Sequence, residues 1–220
     1  MSESLVVYKE FKQFIYKLLI PFIRVYKYLS WRFYLLTCKE VKLIVGAGPT
    51  KYKGWFSTDI VTLDITKESD FEKYFSKKKI RNILAEHVLE HLADQELERM
   101  IKNFYKYSDD EINIRIAVPD GFHSDEKYIS LIKPGGTGEG ADDHKNLFNV
   151  NSLSALFKNF GFVAHPVEYW DEERKFYQGY KKDRNGYILR SFINDKRNKN
   201  GKPVYTSLII DFKKANNNLK

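Results

Sequence analysis

Between residues 42 and 119, short apolar runs that end at a glycine, a proline or a charged residue alternate with a helical pattern. The runs "VKLIVG", "GWFSTDI", "TLDI", "IRNILAEH" and "INIRIAVP" read as strands, and "ADQELERMIKNFYKYS" has the periodicity of a helix. Further along lie the helix "NSLSALFKNFGF" and the strands "FVAHPVEYW" and "PVYTSLIIDFKK". Strands alternating with helices predict an α/β domain built on a largely parallel sheet.

The chain of 220 residues divides into three regions. Residues 1–38 are an aromatic and basic N-terminal helical extension, 39–215 form the α/β domain with a polar insertion at 171–202, and 216–220 are a tail that we expect to fray. Basic residues and Pro21 interrupt the apolar run of 8–36, so it is a poor candidate for a membrane span. The pattern favours a helix packed on the domain, with an interfacial membrane helix as the alternative.

The net charge of +8, from 37 basic and 29 acidic residues, favours acidic partners unless it only reflects a lysine-rich composition. The single cysteine, Cys38, excludes an intrachain disulfide. We see no signal-peptide pattern at the start, and we therefore expect a cytoplasmic protein, with peripheral membrane contact through 8–36 left open.

The first strand ends in a glycine turn, and an acid follows the second strand. Gly46 and Gly48 would let the backbone approach a ligand, and the carboxylate of Asp59 would lie at the same edge of the sheet. Such an acid typically binds ribose hydroxyls, so the stretch predicts a site for a nucleoside-containing cofactor. The dinucleotide fingerprint is incomplete because Lys51 occupies the third glycine position, and a turn that simply joins two elements is the alternative.

The segments "LIVGAGPTKYKGWFSTDI", "NILAEHVLEHL", "IRIAVPDGFH", "GADDHKNLFN" and "LFKNFGF" together resemble the class I S-adenosylmethionine-dependent methyltransferases. The likeness covers 42–171 and 204–212, and it is closest to a type 11-like branch associated with glycan biosynthesis. It implies a Rossmann-like fold with a seven-stranded, mostly parallel sheet, an antiparallel last strand and helices on both faces.

The resemblance also implies S-adenosyl-L-methionine as cofactor and S-adenosyl-L-homocysteine as product. The residues it places around the cofactor are Gly46, Ala47, Gly48, Asp59, Ile60, Asp64, Glu86 and His87. The glycine loop would face the methionine moiety, Asp59 the ribose and Ile60 the adenine. The implied activity is O-methylation of a sugar hydroxyl in a glycan or glycolipid precursor, with a glycan, nucleotide-sugar or small molecule as acceptor.

The loop at 120–149 is the predicted source of catalytic side chains. A hydroxyl acceptor must lose a proton, and a histidine beside a carboxylate suits that task. His144, next to Asp143, is therefore the first candidate for the base, and His123 is the second. The long loop would lie over the cofactor because loops after parallel strands gather at their carboxyl ends.

Three alternatives remain open at this point. Ile44 replaces an acid of the family's glycine motif and Thr50 replaces a glycine, which favours a non-catalytic binding domain of the same fold. The stretch from His87 to His91 matches the H-x-x-E-H signature, with Glu90 as base and His123 or His144 as a third zinc ligand of a hydrolase. The basic, tyrosine-rich insertion suits a nucleic-acid methyltransferase, which ranks below glycan acceptors. The methyltransferase interpretation requires no metal ligand.

Overall fold

The computed structural model describes residues 3–215 and, among these, the side chains of all except 3–13, 16 and 199. The α-helices are α1 (Glu3–Thr37), α2 (Glu68–Phe75), α3 (Asp94–Tyr107), α4 (Glu126–Ile132) and α5 (Val150–Lys158). The strands are β1 (Val41–Val45), β2 (Phe56–Ser57), β3 (Ile80–Glu86), β4 (Ser108–Pro119), β5 (Phe162–Trp170), β6 (Phe176–Gln178) and β7 (Ser207–Lys214).

All seven strands form one sheet in the order β2-β1-β3-β4-β7-β5-β6. The pairs among β2, β1, β3 and β4 are parallel, and β7 lies antiparallel between β4 and β5. Strands β1 to β5 therefore point the same way, and β6 and β7 point the other way. The Rossmann-like α/β fold class predicted from the sequence, a mostly parallel seven-stranded sheet with an antiparallel last strand, is confirmed.

The seventh strand is not the expected one. The prediction of a strand at "TLDI" is wrong, because this stretch forms turns and β6 supplies the seventh strand from within the insertion. The Asp59 carboxylate explains the turn, since its Oδ1 accepts hydrogen bonds from the backbone N–H groups of Val61 and Thr62 at 3.0 and 3.1 Å. Such local side-chain bonds compete with strand pairing.

The larger hydrophobic core lies on one face of the sheet, where alternate strand residues point towards the helices. From the central strand β4 these residues are Ile112, Ile114, Ile116 and Val118. Helices α2, α3 and α5 cover them with Phe71, Phe75, Leu97, Met100, Ile101, Phe104, Leu153 and Phe157. The alternation of strand residues is what assigns each side chain to its face.

The opposite face carries a smaller apolar cluster, in which Ile44, Leu84 and Ile209 pack beneath Tyr180 and Ile188. The covering segment, 179–206, is described throughout and forms no α-helix, so this face is covered by extended chain where the sequence analysis expected helices. Within the insertion, the stretch "GYILRSF" has the apolar and aromatic residues of a strand and suggests one arm of a hairpin, but this prediction is wrong, because the segment forms turns and a single bridge between Asp183 and Gly186.

Arg115 links this covering segment to the sheet through ion pairs and hydrogen bonds. Its buried guanidinium donates to both oxygens of Asp211 on the neighbouring strand, at 2.7 and 2.8 Å. It also donates to both oxygens of Asp183, at 2.9 and 3.1 Å, and to the carbonyl of Gly186 at 2.9 Å. Bidentate pairs of this kind are the strongest ion pairs in proteins.

Helix α1 combines a packed end with an exposed part. Near its C-terminal end, Trp31 is fully buried and stacks on Phe56 and Tyr74, with ring centroids 4.0 and 4.8 Å away. Further towards the N-terminus, Phe22 and Tyr26 are 74% and 69% exposed. Among the described residues, no helix combines the length and the apolar character needed to cross a bilayer.

Candidate active site

The order of the strands creates a cleft between the carboxyl ends of β1 and β3. From β1 the chain moves outward to β2 and then returns across β1 to β3, so the connections leave in opposite directions at this point. Ligands of open α/β sheets bind at such switch points. Two adjoining cavities of about 410 and 320 Å³ lie here, and both are lined by Gly46, His87 and His91.

The two cavities differ in character, and we call them the polar lobe and the apolar lobe. The apolar lobe is lined mainly by Ile60, Leu63, Ile65, Val88 and Leu92, and its polar lining includes Asp59, Asp64, Thr66 and Glu96. The polar lobe is lined by the glycine turn together with Glu86, Glu90, Glu139, His144 and Arg190. A larger cavity of about 590 Å³ at the other ends of the strands is lined by none of the predicted site residues.

The glycine turn follows β1 in left-handed backbone conformations. Gly46 has φ 59° and Gly48 has φ 51°, values that side chains other than glycine rarely adopt. A Cβ atom on Gly46 would lie 2.5 Å from a methyl group of Val88, so the turn is also closely packed. Residues 46–55, all of them described, contain no helix. No helix N-terminus therefore follows the turn to bind a pyrophosphate group.

Three acids line the apolar lobe, and they differ in how many of their oxygens are already hydrogen-bonded; Glu96 accepts from the Ala93 N–H and from Lys145 through its Oε2. Oδ1 of Asp59 closes its own turn, and Oδ2 accepts no hydrogen bond from the part of the chain that the structure describes. Asp64 is fully engaged, since Thr66 donates to its Oδ1 and Lys67 pairs with its Oδ2 at 3.0 Å. Ile60 is exposed at the rim. Asp59 thus has an oxygen available to a ligand, as does Glu96, whose Oε1 accepts no hydrogen bond from a described group.

Glu86 and His87, at the end of β3, hold the covering segment. The Glu86 carboxylate accepts hydrogen bonds from the backbone N–H groups of Leu189 and Arg190, at 3.1 and 2.7 Å, which places Arg190 at the polar lobe. His87 has a left-handed backbone with φ 54°, and its Nε2 lies 3.1 Å from the Ser207 hydroxyl. Burial keeps the pKa of His87 well below its usual value, so the ring is neutral.

Glu90, His91 and His144 meet in the polar lobe, where one ligand atom from each lies within 4.8 Å of the others. The backbone N–H groups of Lys145 and Asn146 donate to the Glu90 carbonyl at 2.7 and 3.1 Å, which fixes the loop against the 3-10 turn Leu89–His91. Burial raises the pKa of Glu90 to about 8.

The predicted catalytic residues are only partly brought together. His144 lines the polar lobe, and its Nδ1 lies 2.6 Å from the Ile132 carbonyl. Asp143 contacts His91 at 3.4 Å, although the sequence analysis assigned it to His144. His123 lines neither lobe; it is buried against Tyr128 and Trp170, and burial lowers its pKa to about 4.

The H-x-x-E-H stretch does not form the helix that a zinc protease would require. His87 lies before the 3-10 turn in a left-handed conformation, and His91 ends that turn. The pair therefore does not lie one helical turn apart on a common face. Sequence reasoning missed Arg190, because the Glu86 hydrogen bonds that place it cross a sequence separation of 104 residues.

No protein-family model matches the chain, and the curated proteins give no match. Among solved structures, a SAM-dependent methyltransferase from Archaeoglobus fulgidus is 16% identical, with 96% of this chain and 98% of that chain covered and a TM-score of 0.42. A LepI variant in complex with SAH and a substrate analogue is 11% identical, with 84% of this chain and 39% of that chain covered and a TM-score of 0.41. LepI in complex with SAM is 10% identical, with 80% of this chain and 43% of that chain covered and a TM-score of 0.43.

The chain spans about two fifths of the length of the LepI chains that it matches. Because the identities and TM-scores are low, the assignment of each site residue depends on the geometry described above.

Proposed function

We propose that this protein is an S-adenosylmethionine-dependent methyltransferase that methylates a hydroxyl group, with a sugar of a glycan or glycolipid precursor as the acceptor. The observation that carries the proposal is the pair of lobes joined at Gly46. One lobe offers an apolar wall with an available carboxylate oxygen, and the other offers titratable groups. This division suits a nucleoside whose far end carries the reacting group.

The residues present fit this cofactor. The apolar wall around Leu63 and Val88 suits adenine, and the available oxygen of Asp59 suits the ribose hydroxyls. The glycine turn lacks a following helix, which suits a cofactor without phosphate groups better than a dinucleotide. When bound, S-adenosylmethionine supplies a methyl group attached to a positively charged sulfur.

His144 is the residue we assign to activation of the acceptor. A carbonyl group can only accept a hydrogen bond, so His144 Nδ1 carries the proton towards Ile132 and Nε2 keeps its lone pair. That lone pair can take the proton of a hydroxyl held in the polar lobe. Asp143 does not contact His144; it contacts His91 instead, and its role would be to orient that ring. His123 remains the second candidate only if the loop moves, because it lines neither lobe.

Arg190 supports an anionic acceptor. Its side chain is exposed at the polar lobe and forms no ion pair with the side chains described in the structure. A guanidinium suits phosphate or carboxylate groups, and the net charge of +8 favours the approach of an anion. A nucleotide-sugar has both the phosphate and the hydroxyl groups required.

Incubation with S-adenosylmethionine carrying a labelled methyl group tests the proposal. The acceptor panel should contain nucleotide-sugars, glycans and transfer RNA. Label transfer to a nucleotide-sugar or glycan is the expected result. Transfer to RNA alone would favour the nucleic-acid alternative, and binding of S-adenosylhomocysteine without any transfer would favour a non-catalytic domain.

Asp59→Asn should weaken the binding of S-adenosylhomocysteine about 10- to 100-fold, the loss expected for a charge-assisted hydrogen bond of about 1.5–3 kcal/mol. Asparagine keeps an oxygen for the turn that Asp59 closes, so the fold should persist. Calorimetric titration measures the affinity. Asp94→Asn, an exposed acid outside both lobes, is the matched control. Equal affinity in the two variants would remove Asp59 from the site.

We further propose that α1 contacts a membrane surface. Its exposed apolar surface comprises Phe14, Ile15, Leu18, Leu19, Phe22, Val25, Tyr26, Leu29, Phe33 and Leu36. Lys17, Arg24 and Lys27 lie on the same stretch. An apolar surface with basic residues suits the interface of an anionic bilayer.

The protein should therefore sediment with vesicles containing phosphatidylserine and detach as salt rises, because each basic residue near such a surface contributes about 1 kcal/mol. The double variant Phe22→Ser/Tyr26→Ser should weaken this binding. Val163→Ser, an exposed apolar residue on β5, should not. Failure to bind at low salt, with dimers in solution that the double variant abolishes, would assign the surface to self-association instead.

A further inference from the structure

We propose that Glu90, His91 and His144 bind one divalent transition-metal ion in the polar lobe. The three residues come from two separate segments, the 3-10 turn Leu89–His91 and the loop after β4, and tertiary contacts bring their ligand atoms within 4.8 Å of one another. Binding of the ion is independent of the proposed function, and only its role rests on that function. With the ion bound, His144 Nε2 is a metal ligand and no longer takes the acceptor's proton. A bound ion would also contradict the prediction of a site without metal ligands.

The strongest support is the Glu90 carboxylate. Glu90 is 1% exposed, and neither of its oxygens accepts a hydrogen bond from any group in the described part of the chain. A buried carboxyl group without a hydrogen-bond partner is unfavourable whether or not it carries a proton. His87 approaches Glu90 with its Nδ1 at 3.4 Å from Oε1 but makes no hydrogen bond with it. A metal ion would take the place of any proton on Glu90 and supply the bonds that its oxygens lack.

The two histidines are oriented as metal ligands usually are. A ligating histidine commonly donates its other ring N–H to a carbonyl or carboxylate, which fixes the tautomer. His144 Nδ1 makes that bond to the Ile132 carbonyl, so its Nε2 has a lone pair for a metal. His91 Nδ1 lies 3.4 Å from the Asp143 carboxylate and makes no hydrogen bond to a described group, so Asp143 can orient this side of the ring and leave Nε2 for a metal.

The ligand types narrow the choice of metal. Two imidazole nitrogens and one carboxylate oxygen suit zinc, manganese, iron or cobalt, whereas magnesium and calcium prefer oxygen ligands. Three protein ligands leave at least one position open. That position lies in the lobe assigned to the acceptor, so an acceptor hydroxyl could bind the ion there. Its pKa would fall, and its proton would pass to solvent water.

Calorimetric titration of the untagged, chelator-treated full chain with Zn²⁺ and Mn²⁺ tests the site, and Co²⁺ absorption spectra report the ligand set. We expect one ion per chain. Glu90→Gln and His144→Ala should each weaken binding at least about tenfold, since even outer-shell changes reduce metal affinity 10- to 100-fold. His165→Ala, an exposed histidine on β5, should bind as the wild type does.

Absence of a stoichiometric ion would overturn the inference, and so would equal affinity in the wild type and both cluster variants. Circular dichroism checks that the variants fold; His144→Ala changes a half-buried loop residue and serves if the buried Glu90→Gln does not fold. Titration with S-adenosylhomocysteine separates the two proposals. If the protein binds S-adenosylhomocysteine but no metal ion, only the proposed metal site is wrong. If it binds a metal ion but no S-adenosylhomocysteine, only the proposed methyltransferase function is wrong.

Discussion

Replacing His144 by alanine is expected to lower methyl transfer roughly 10²–10⁴-fold, the range for loss of a proton acceptor. His144 lines the polar lobe, and its Nδ1 is engaged with the Ile132 carbonyl, so we assign Nε2 either as the base or as a ligand of the ion that acidifies the hydroxyl. The affinity for S-adenosylhomocysteine should barely change, because the assigned cofactor contacts lie at Gly46 and Asp59. Single-turnover rates with the acceptor found in the panel measure the effect.

Two further variants make this result specific. His165→Ala changes an exposed histidine on β5 and should leave the transfer rate unchanged. His123→Ala should have a smaller effect than His144→Ala, because His123 lines neither lobe. Near-wild-type turnover in His144→Ala with a large loss in His123→Ala would transfer the role to His123. If a chelator lowers the activity of the wild type but not the residual activity of His144→Ala, His144 acts as a ligand of the metal ion and not as the base.

Replacing Arg115 by leucine is expected to lower the free energy of unfolding by about 3–5 kcal/mol, the usual loss when one partner of a buried ion pair is removed. Asp211, 8% exposed, would keep a buried carboxylate without its partner. The segment around Asp183 and Gly186 would also lose its anchor on the sheet. Urea denaturation measures the change.

Arg81→Leu is the matched control. Arg81 pairs with Asp109 and Glu111 nearer the surface, and exposed pairs contribute at most about 1 kcal/mol. The double variant Arg115→Leu/Asp211→Leu should recover part of the lost stability, because the buried carboxylate of Asp211 is then removed together with its partner and only the more exposed Asp183 is left unpaired. If Arg115→Leu lowers the free energy of unfolding by less than Arg81→Leu does, the Arg115 network does not stabilise the fold.

Local patterns in the sequence were sufficient to predict most of the sheet. The strand predicted as "FVAHPVEYW" is β5 (Phe162–Trp170), and the helix predicted from "ADQELERMIKNFYKYS" is α3 (Asp94–Tyr107). Apolar periodicity and turn residues act within a few positions, so they can be read without knowing the fold. The glycine turn and Asp59 were found in the same way, since each follows directly from the end of a strand.

Contacts between distant residues could not be predicted by this reasoning. Arg115 fixed a segment that carries no strong periodicity of its own, through hydrogen bonds to Asp183 and Gly186 that are not visible in a local pattern. The turn at "TLDI" is a different case, because the bonds from Val61 and Thr62 to Asp59 are local and the apolar residues of this stretch still suggested a strand. The pairing of Asp143 with His91, and the burial of His123 against Trp170, belong to the same class as the Arg115 contacts.

The sequence by itself determined the α/β class, the direction of most strands and the position of the glycine turn, because hydrophobic alternation and glycine conformation are local properties. Only the tertiary structure decided the composition of the polar lobe. Two hydrogen bonds from the loop at Lys145 and Asn146 to the Glu90 carbonyl bring His144 to Glu90 and His91. Such long-range bonds form only when the whole sheet has placed both segments at one edge. The neighbours of each site residue, and therefore its chemical properties, depend on the complete tertiary structure.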